Sequence, residues 1–235
     1  MHVMKHVVLF DIDGTLLSVQ KTQHDETRRY VDTMRSVTGK EPKVIPSRFA
    51  GMVDPQICKI LLTEMGVDED AQCELLPKTL TRMGELYHEA AKNSDVLNDG
   101  VQELLEVLSK SATHVLGVLT GNISAVGEEK LKITGIRPYF TERFYADDYY
   151  DRNKLVKDAV EACVAKYSLP NQRKVLIVGD TPIDITAAIA ANATPIGVTS
   201  GVYPMVQLSR SGAKWVFPDL RPSKDLLTAL DFREE

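Results

Sequence analysis

The sequence predicts an open α/β fold: a parallel sheet flanked by helices, interrupted early by an inserted helical segment. Three observations carry that prediction. Short, near-continuously apolar runs recur along the chain, and each breaks into polar or glycine residues at its C-terminal end. Stripes at helical spacing separate these runs, the alternation of a doubly wound sheet. The stretch 18–98 instead shows helical stripes only.

The first strand is Val7-Val8-Leu9-Phe10, and it ends in Asp11-Ile12-Asp13-Gly14-Thr15. Side chains alternate along an extended chain, so Asp11 and Asp13 leave on one side and Ile12 on the other. Two carboxylates held together raise each other's pKa unless a cation or strong donors sit between them. The pair therefore points to metal binding, acid–base chemistry, or both.

The insertion follows. Its stripes are Tyr30, Met34 and Val37, then Ile57, Ile60, Leu61 and Met65, then Leu80, Met83, Leu86, Tyr87 and Ala90. Gly39, Pro42, Pro46, Gly51, Gly66 and Pro77 punctuate it, and its length suffices for a small helical bundle. The expected division is an α/β core of residues 1–17 and 99–235 and a helical unit of residues 18–98.

The core resumes with a helical stripe over 101–108 and a strand over 115–119 that breaks into Thr120-Gly121-Asn122. A helix over 155–167 precedes a strand over 175–178, which ends in Gly179-Asp180-Thr181. A helix over 183–193 leads to a strand over 195–198 ending in Thr199-Ser200-Gly201, and Trp215-Val216-Phe217 forms a weaker fifth strand. Apolar runs of this kind suit parallel strands buried on both faces. Ligands of such sheets bind beyond the carboxyl ends of the strands, where all these polar ends converge.

Composition narrows the function classes. The 235 residues are 43% hydrophobic and 26% charged, as in an ordinary globular protein. The net charge of −5, with no cluster of Lys and Arg, argues against a nucleic-acid-binding face. An anionic substrate would need local cations. Cys58, Cys73 and Cys163 have no metal-ligand spacing and read as free thiols of a reducing compartment. No run reaches the roughly 20 apolar residues of a membrane span, and the N-terminus lacks a leader pattern, so a cytoplasmic monomer or homodimer is expected, with no membrane partner.

Asp11-Ile12-Asp13-Gly14-Thr15, Leu119-Thr120-Gly121-Asn122 and Gly179-Asp180-Thr181-Pro182-Ile183-Asp184, in this order and each after a strand, resemble the haloacid dehalogenase-like hydrolase superfamily. The resemblance covers nearly the whole chain and implies a Rossmann-like core with an α-helical cap at 18–98. It is nearest to the phosphoglycolate phosphatase-like branch. It implies Asp11 as nucleophile, since a carboxylate can attack a phosphoryl group and split one displacement into two. Asp13 would protonate the leaving oxygen and later deprotonate water. A departing halide needs no proton, so Asp13 favours phosphoryl chemistry over dehalogenation.

Mg²⁺ is the implied cofactor, with Asp11, Asp180 and the backbone carbonyl of Asp13 as ligands and Asp184 holding a bound water. Thr181-Pro182-Ile183-Asp184 also reads as a helix N-terminus, with Thr as cap and an acid three residues on. Thr120, Gly121 and Asn122 would hold phosphoryl oxygens. The family's cation falls on Arg152 or Lys154; Arg152 is favoured because its fork can bind phosphate and carboxylate together. Lys174 precedes its strand and lies at the wrong end of the sheet. In the cap, Arg48 is a candidate for a substrate carboxylate or second phosphate, beside the reading of a salt-bridged surface arginine. His24 lies near the start of the insertion.

The resulting expectation is a Mg²⁺-dependent phosphatase of a small phosphorylated metabolite, phosphoglycolate-like or a sugar phosphate, working through an aspartyl-phosphate. A sugar phosphomutase of β-phosphoglucomutase type shares cap and core and stays open. A catalytically idle binding or scaffold relative would have lost Asp11, Asp13 or Asp180, and all three are present.

Overall fold

The computed structural model describes residues 5–19, 26–90 and 96–232. Strands β1 (His6–Phe10), β2 (His114–Leu119), β3 (Glu142–Phe144), β4 (Val175–Gly179), β5 (Thr194–Val198) and β6 (Trp215–Phe217) form one sheet in the order β3-β2-β1-β4-β5-β6. Every pairing in it is parallel. The open parallel sheet flanked by helices is the expected fold class.

Helices α1 (Glu26–Thr38), α2 (Pro46–Phe49), α3 (Asp54–Glu64) and α4 (Glu69–Ala90) follow β1. Then come α5 (Val101–Ser109), α6 (Ser124–Ile133), α7 (Arg152–Tyr167), α8 (Pro182–Ala190), α9 (Met205–Arg210) and α10 (Lys224–Ala229).

The register explains why the strands are apolar throughout. Val8 pairs with Leu116 on one side and Leu176 on the other, and these three pack on one sheet face with Leu104 and Leu105 of α5 and Leu226 of α10. Val7, Val115 and Val175 point to the opposite face, against α7 and α8. Both faces are covered, so each residue of β1 is buried. Strand order reverses direction between β1 and β4, which makes a crevice at their carboxyl ends.

Helices α6, α9 and α10 come in addition to the core helices expected from the sequence, and two further elements depart from that expectation. β3 is an additional edge strand, Glu-Arg-Phe, whose charged residues hide the pattern. Its Glu142 is held by Lys166 (2.6 Å) and by the Tyr167 hydroxyl. Helix α4 also runs through Pro77, which punctuates the sequence but does not end the helix.

The insertion leaves and returns through one short ladder. Leu17 and Leu97 form an antiparallel bridge, and the Ser18 amide donates to Val96 O (2.8 Å). Buried Asn98 donates through Nδ2 to the carbonyls of Gly14, Thr15 and Leu17 (3.0–3.1 Å). One side chain thereby fixes both the loop after β1 and the return point of the insertion. The apolar core of α1, α3 and α4, which includes Tyr30, Met34, Leu61 and Met83, takes in Ile123 and Val126 just beyond β2. The insertion thus sits over the strand ends. No described helix is long and apolar enough to cross a membrane.

Candidate active site

Asp11 is the first residue beyond β1, and its amide donates to Val178 O (2.9 Å), which locks it beside the end of β4. Asp180 is the first residue beyond β4, and Asp184 lies in the first turn of α8. Oxygens of Asp11, Asp180 and Asp184 lie within 4.8 Å of one another. The loops are shaped to allow this approach. Gly14 has φ +80°, and a Cβ there or on Gly201 would overlap the Asp180 carboxylate.

Arg152, only 4% exposed, projects from the start of α7 into this acidic group. Its Nη2 donates to Asp11 (3.1 Å), Asp184 (2.9 Å) and Leu119 O (3.0 Å). Its Nε and Nη1 are buried without a hydrogen-bond partner. Thr181 and Asp184 cap each other at the start of α8, the hydroxyl donating to Asp184 Oδ2 (2.7 Å) and accepting from the Asp184 amide (3.2 Å). Asp184 therefore has a structural role regardless of any ligand.

Without a metal the charge here does not balance. Burial, the neighbouring Asp184 and Asp13 push the Asp11 carboxyl up to about 8, against the opposing pull of Arg152. Burial followed by the charges of Asp184 and Asp11 pushes Asp180 well above the usual carboxylate range. An oxygen-only donor set that resists ionisation until a cation arrives suits a hard divalent cation, and Asp11, Asp180 and Asp184 are the carboxylates that could hold it.

Asp13 belongs to a second network. It accepts from Lys130 Nζ (2.6 Å) and from Asn122 Nδ2 (2.7 Å). Burial alone would raise its carboxyl, but Lys130, Arg29 and these hydrogen bonds together hold it below the usual value. Lys130 is fully buried on α6, over the Tyr87 ring. Nothing in the sequence expectation singled it out, because Glu128-Glu129-Lys130-Leu131-Lys132 reads as a solvated helix face. The one usable signal was its phase: Val126, Lys130 and Leu131 fall on the buried face of α6.

The inserted helices reach the same network. Arg29 donates to Asn122 Oδ1 (2.6 Å), to Asp54 Oδ1 (2.9 Å) and to the Tyr30 hydroxyl (2.8 Å). Asp54 accepts in addition from Tyr30 (2.6 Å) and from the Ile123 amide (2.9 Å), and the Asp54 amide donates to Gly121 O (2.7 Å). The Thr120-Gly121-Asn122 turn is thus gripped from above.

Several expected residues converge, and others do not. Asp11, Asp13, Thr120, Gly121, Asn122, Arg152 and Asp180 all line one cavity of about 730 Å³. The Asn122 amide is committed to Thr120 Oγ1 (3.2 Å), and its side chain serves Asp13, so it braces the turn rather than offering its N–H to a ligand. Lys154 points to solvent and pairs with Asp158 (2.5 Å), one turn along α7. Arg48 pairs with exposed Glu64 and lies over the Phe49 ring, away from the cavity lining. Of the two candidate cations, Arg152 lines the cavity and Lys154 does not, since residues two apart on a helix face different ways. His24 lies outside the described residues.

A family model for haloacid dehalogenase-like hydrolases matches residues 8–198. The chain belongs to this hydrolase family. Among its relatives is the phosphoglycolate phosphatase of Pasteurella multocida, 27% identical over 232 residues, which are 94% of this chain and 96% of that protein. Among solved structures, a hydrolase from Pseudomonas syringae is 26% identical with a TM-score of 0.66, covering 97% of this chain and 98% of its own. CbbY from Rhodobacter sphaeroides, crystallised in complex with phosphate, has a TM-score of 0.72 at 16% identity, over 97% of this chain and all of that one. At that identity the likeness speaks for the fold.

Proposed function

We propose that this hydrolase is a Mg²⁺-dependent phosphatase that cleaves a small phosphate monoester through an aspartyl-phosphate on Asp11. One observation carries the reading: a buried carboxylate at a strand end, with Asp180 and Asp184 alongside, faces a guanidinium that has two unused donors. Buried donors are costly to leave unpaired, and Nε and Nη1 of Arg152 suit two phosphoryl oxygens. The Thr120 hydroxyl accepts from Asn122 Nδ2 (2.7 Å), which leaves its proton for a third. The name of the Pasteurella multocida relative supports the same reaction class.

The chemistry balances as hydrolysis. A carboxylate oxygen of Asp11 attacks phosphorus, the ester P–O bond breaks, and the leaving oxygen takes a proton from Asp13. Water then attacks the phosphorus of the acyl phosphate, giving its proton to Asp13, and Asp11 and inorganic phosphate are released. Lys130 and Asn122 favour the ionised Asp13 that this second step needs. A dianionic phosphoryl group beside Asp13 raises its proton affinity for the first step. Bound Mg²⁺ would neutralise the carboxylates and polarise the phosphoryl oxygens.

The inserted helices would serve as the cap over this site, excluding bulk water. Admission of water as the second acceptor is what separates a phosphatase from a phosphomutase. The test is phosphate release from p-nitrophenyl phosphate with Mg²⁺ and with EDTA. Metal-dependent turnover is the expected result. Its absence there and across a panel of metabolite phosphates would rule the reading out.

A further inference from the structure

The cavity above Asp11 has a charged floor and an apolar wall. Its volume of about 730 Å³ falls within the range, roughly 300–1,000 Å³, that encloses ligands far larger than a two-carbon acid. The floor consists of Asp11, Asp13, Asp180 and Arg152. The wall supplied by the insertion presents Val19, Val44, Pro46, Phe49, Met52 and Ile57. Among the described lining residues the cations are Arg29 and Arg152. Arg29 is held by Asp54 (2.9 Å), Tyr30 and Asn122 (2.6 Å). Arg152 serves the floor. Thr27, Tyr30, Ser47 and Asp54 line the same side, but none is a cation, so a carboxylate or second phosphate on the leaving group would meet no free positive charge among the described lining residues, and an unpaired charge there is strongly disfavoured.

We infer that the leaving group is an uncharged, largely apolar alcohol, so that the substrate class is alkyl or aryl phosphate monoesters rather than phosphorylated carboxylic acids or bisphosphates. The inference rests on the phosphatase reading of Asp11 and adds its specificity. The phosphoryl group sits on the floor, and the ester oxygen lies beside Asp13. The carbon chain runs along the wall formed by Val44, Phe49 and Met52, so each methylene that enters leaves water for hydrocarbon. This substrate class differs from the phosphoglycolate-like expectation that the family resemblance implies, and the experiment below separates the two.

The experiment uses the full chain with Mg²⁺ and a straight series from ethyl to hexyl phosphate. The alcohols leave with similar ease, so differences in kcat/KM report the wall. The expected rise is about three- to fourfold per methylene, the rate equivalent of moving a CH₂ out of water. Phosphoglycolate is expected to fall at least tenfold below hexyl phosphate. The matching alkylphosphonates, which cannot turn over, should show the same order in Kd. Met52→Gln, a half-buried and nearly isosteric change, should lower the hexyl-to-ethyl ratio severalfold. A flat chain-length series, or phosphoglycolate equalling hexyl phosphate, would overturn the specificity while leaving the phosphatase intact. Failure to release phosphate from every ester, p-nitrophenyl phosphate included, would overturn both.

Discussion

Mg²⁺ and protons should compete for the same oxygens, and the competition has a calculable size. In the metal-free protein the Asp11 carboxyl is raised from 3.8 to about 8, chiefly by burial and by Asp184. Between those values the folded protein keeps a proton that the unfolded chain has released. The metal-free protein therefore loses stability as pH rises through that window. Mg²⁺ must displace the proton to bind, so its apparent Kd should fall about tenfold per pH unit up to about pH 8 and level off above. Asp180 is raised as well and adds to the effect.

From pH 6 to pH 8 the gain is up to about a hundredfold in affinity, or about 3 kcal/mol of extra stabilisation at saturating metal. For a chain of this size that is about 5–10 °C in Tm. Thermal melts with Mg²⁺ and with EDTA at both pH values measure it, and calorimetry in buffers of different ionisation enthalpy counts the protons released near pH 7. A Tm gap that does not widen with pH, together with no proton release, would refute the electrostatic account of the acidic group.

Other substitutions separate the roles of neighbouring residues. Arg152→Lys keeps a charge but loses the fork, and should lower kcat/KM by at least about a hundredfold, the scale of losing an oriented donor at a reacting group. Lys154→Ala breaks an exposed pair within α7 and should leave both the melting temperature and the activity unchanged. Lys130→Met strips Asp13 of its buried cation and should cut kcat more than it raises KM, while lowering denaturant stability by about 3 kcal/mol. Gly201→Ala places a methyl on the Asp180 carboxylate and should weaken Mg²⁺ binding by calorimetry in a chain that still folds.

The sheet was readable because burial on both faces writes itself as unbroken apolar runs, as at Val7 to Phe10 and Val175 to Val178. β3 was not, because three residues with Glu142 and Arg143 among them carry no such signal. Asp11, Asp13 and Asp180 were legible because acids abruptly ending apolar strands stand out against their surroundings. Lys130 was hidden because a charged helix face looks the same whether it meets water or a buried carboxylate. The Arg29–Asp54–Asn122 link joins residues far apart in the chain, and no local pattern announces such a meeting. Arg48 shows the reverse: a cation on α2, whose neighbours Ser47 and Phe49 line the cavity, that itself pairs with Glu64.

Turnover through Asp11 requires that its carboxylate carry the phosphoryl group covalently. The most direct test is acid quenching during turnover of p-nitrophenyl phosphate with Mg²⁺, followed by peptide mass spectrometry. The expected result is a phosphorylated peptide spanning Asp11 and Asp13, with the modification on Asp11 and lost on brief exposure to base, and no such peptide and no turnover in Asp11→Asn. An Asp11→Asn variant that keeps wild-type turnover, or a phosphoryl group trapped on another side chain, would contradict it.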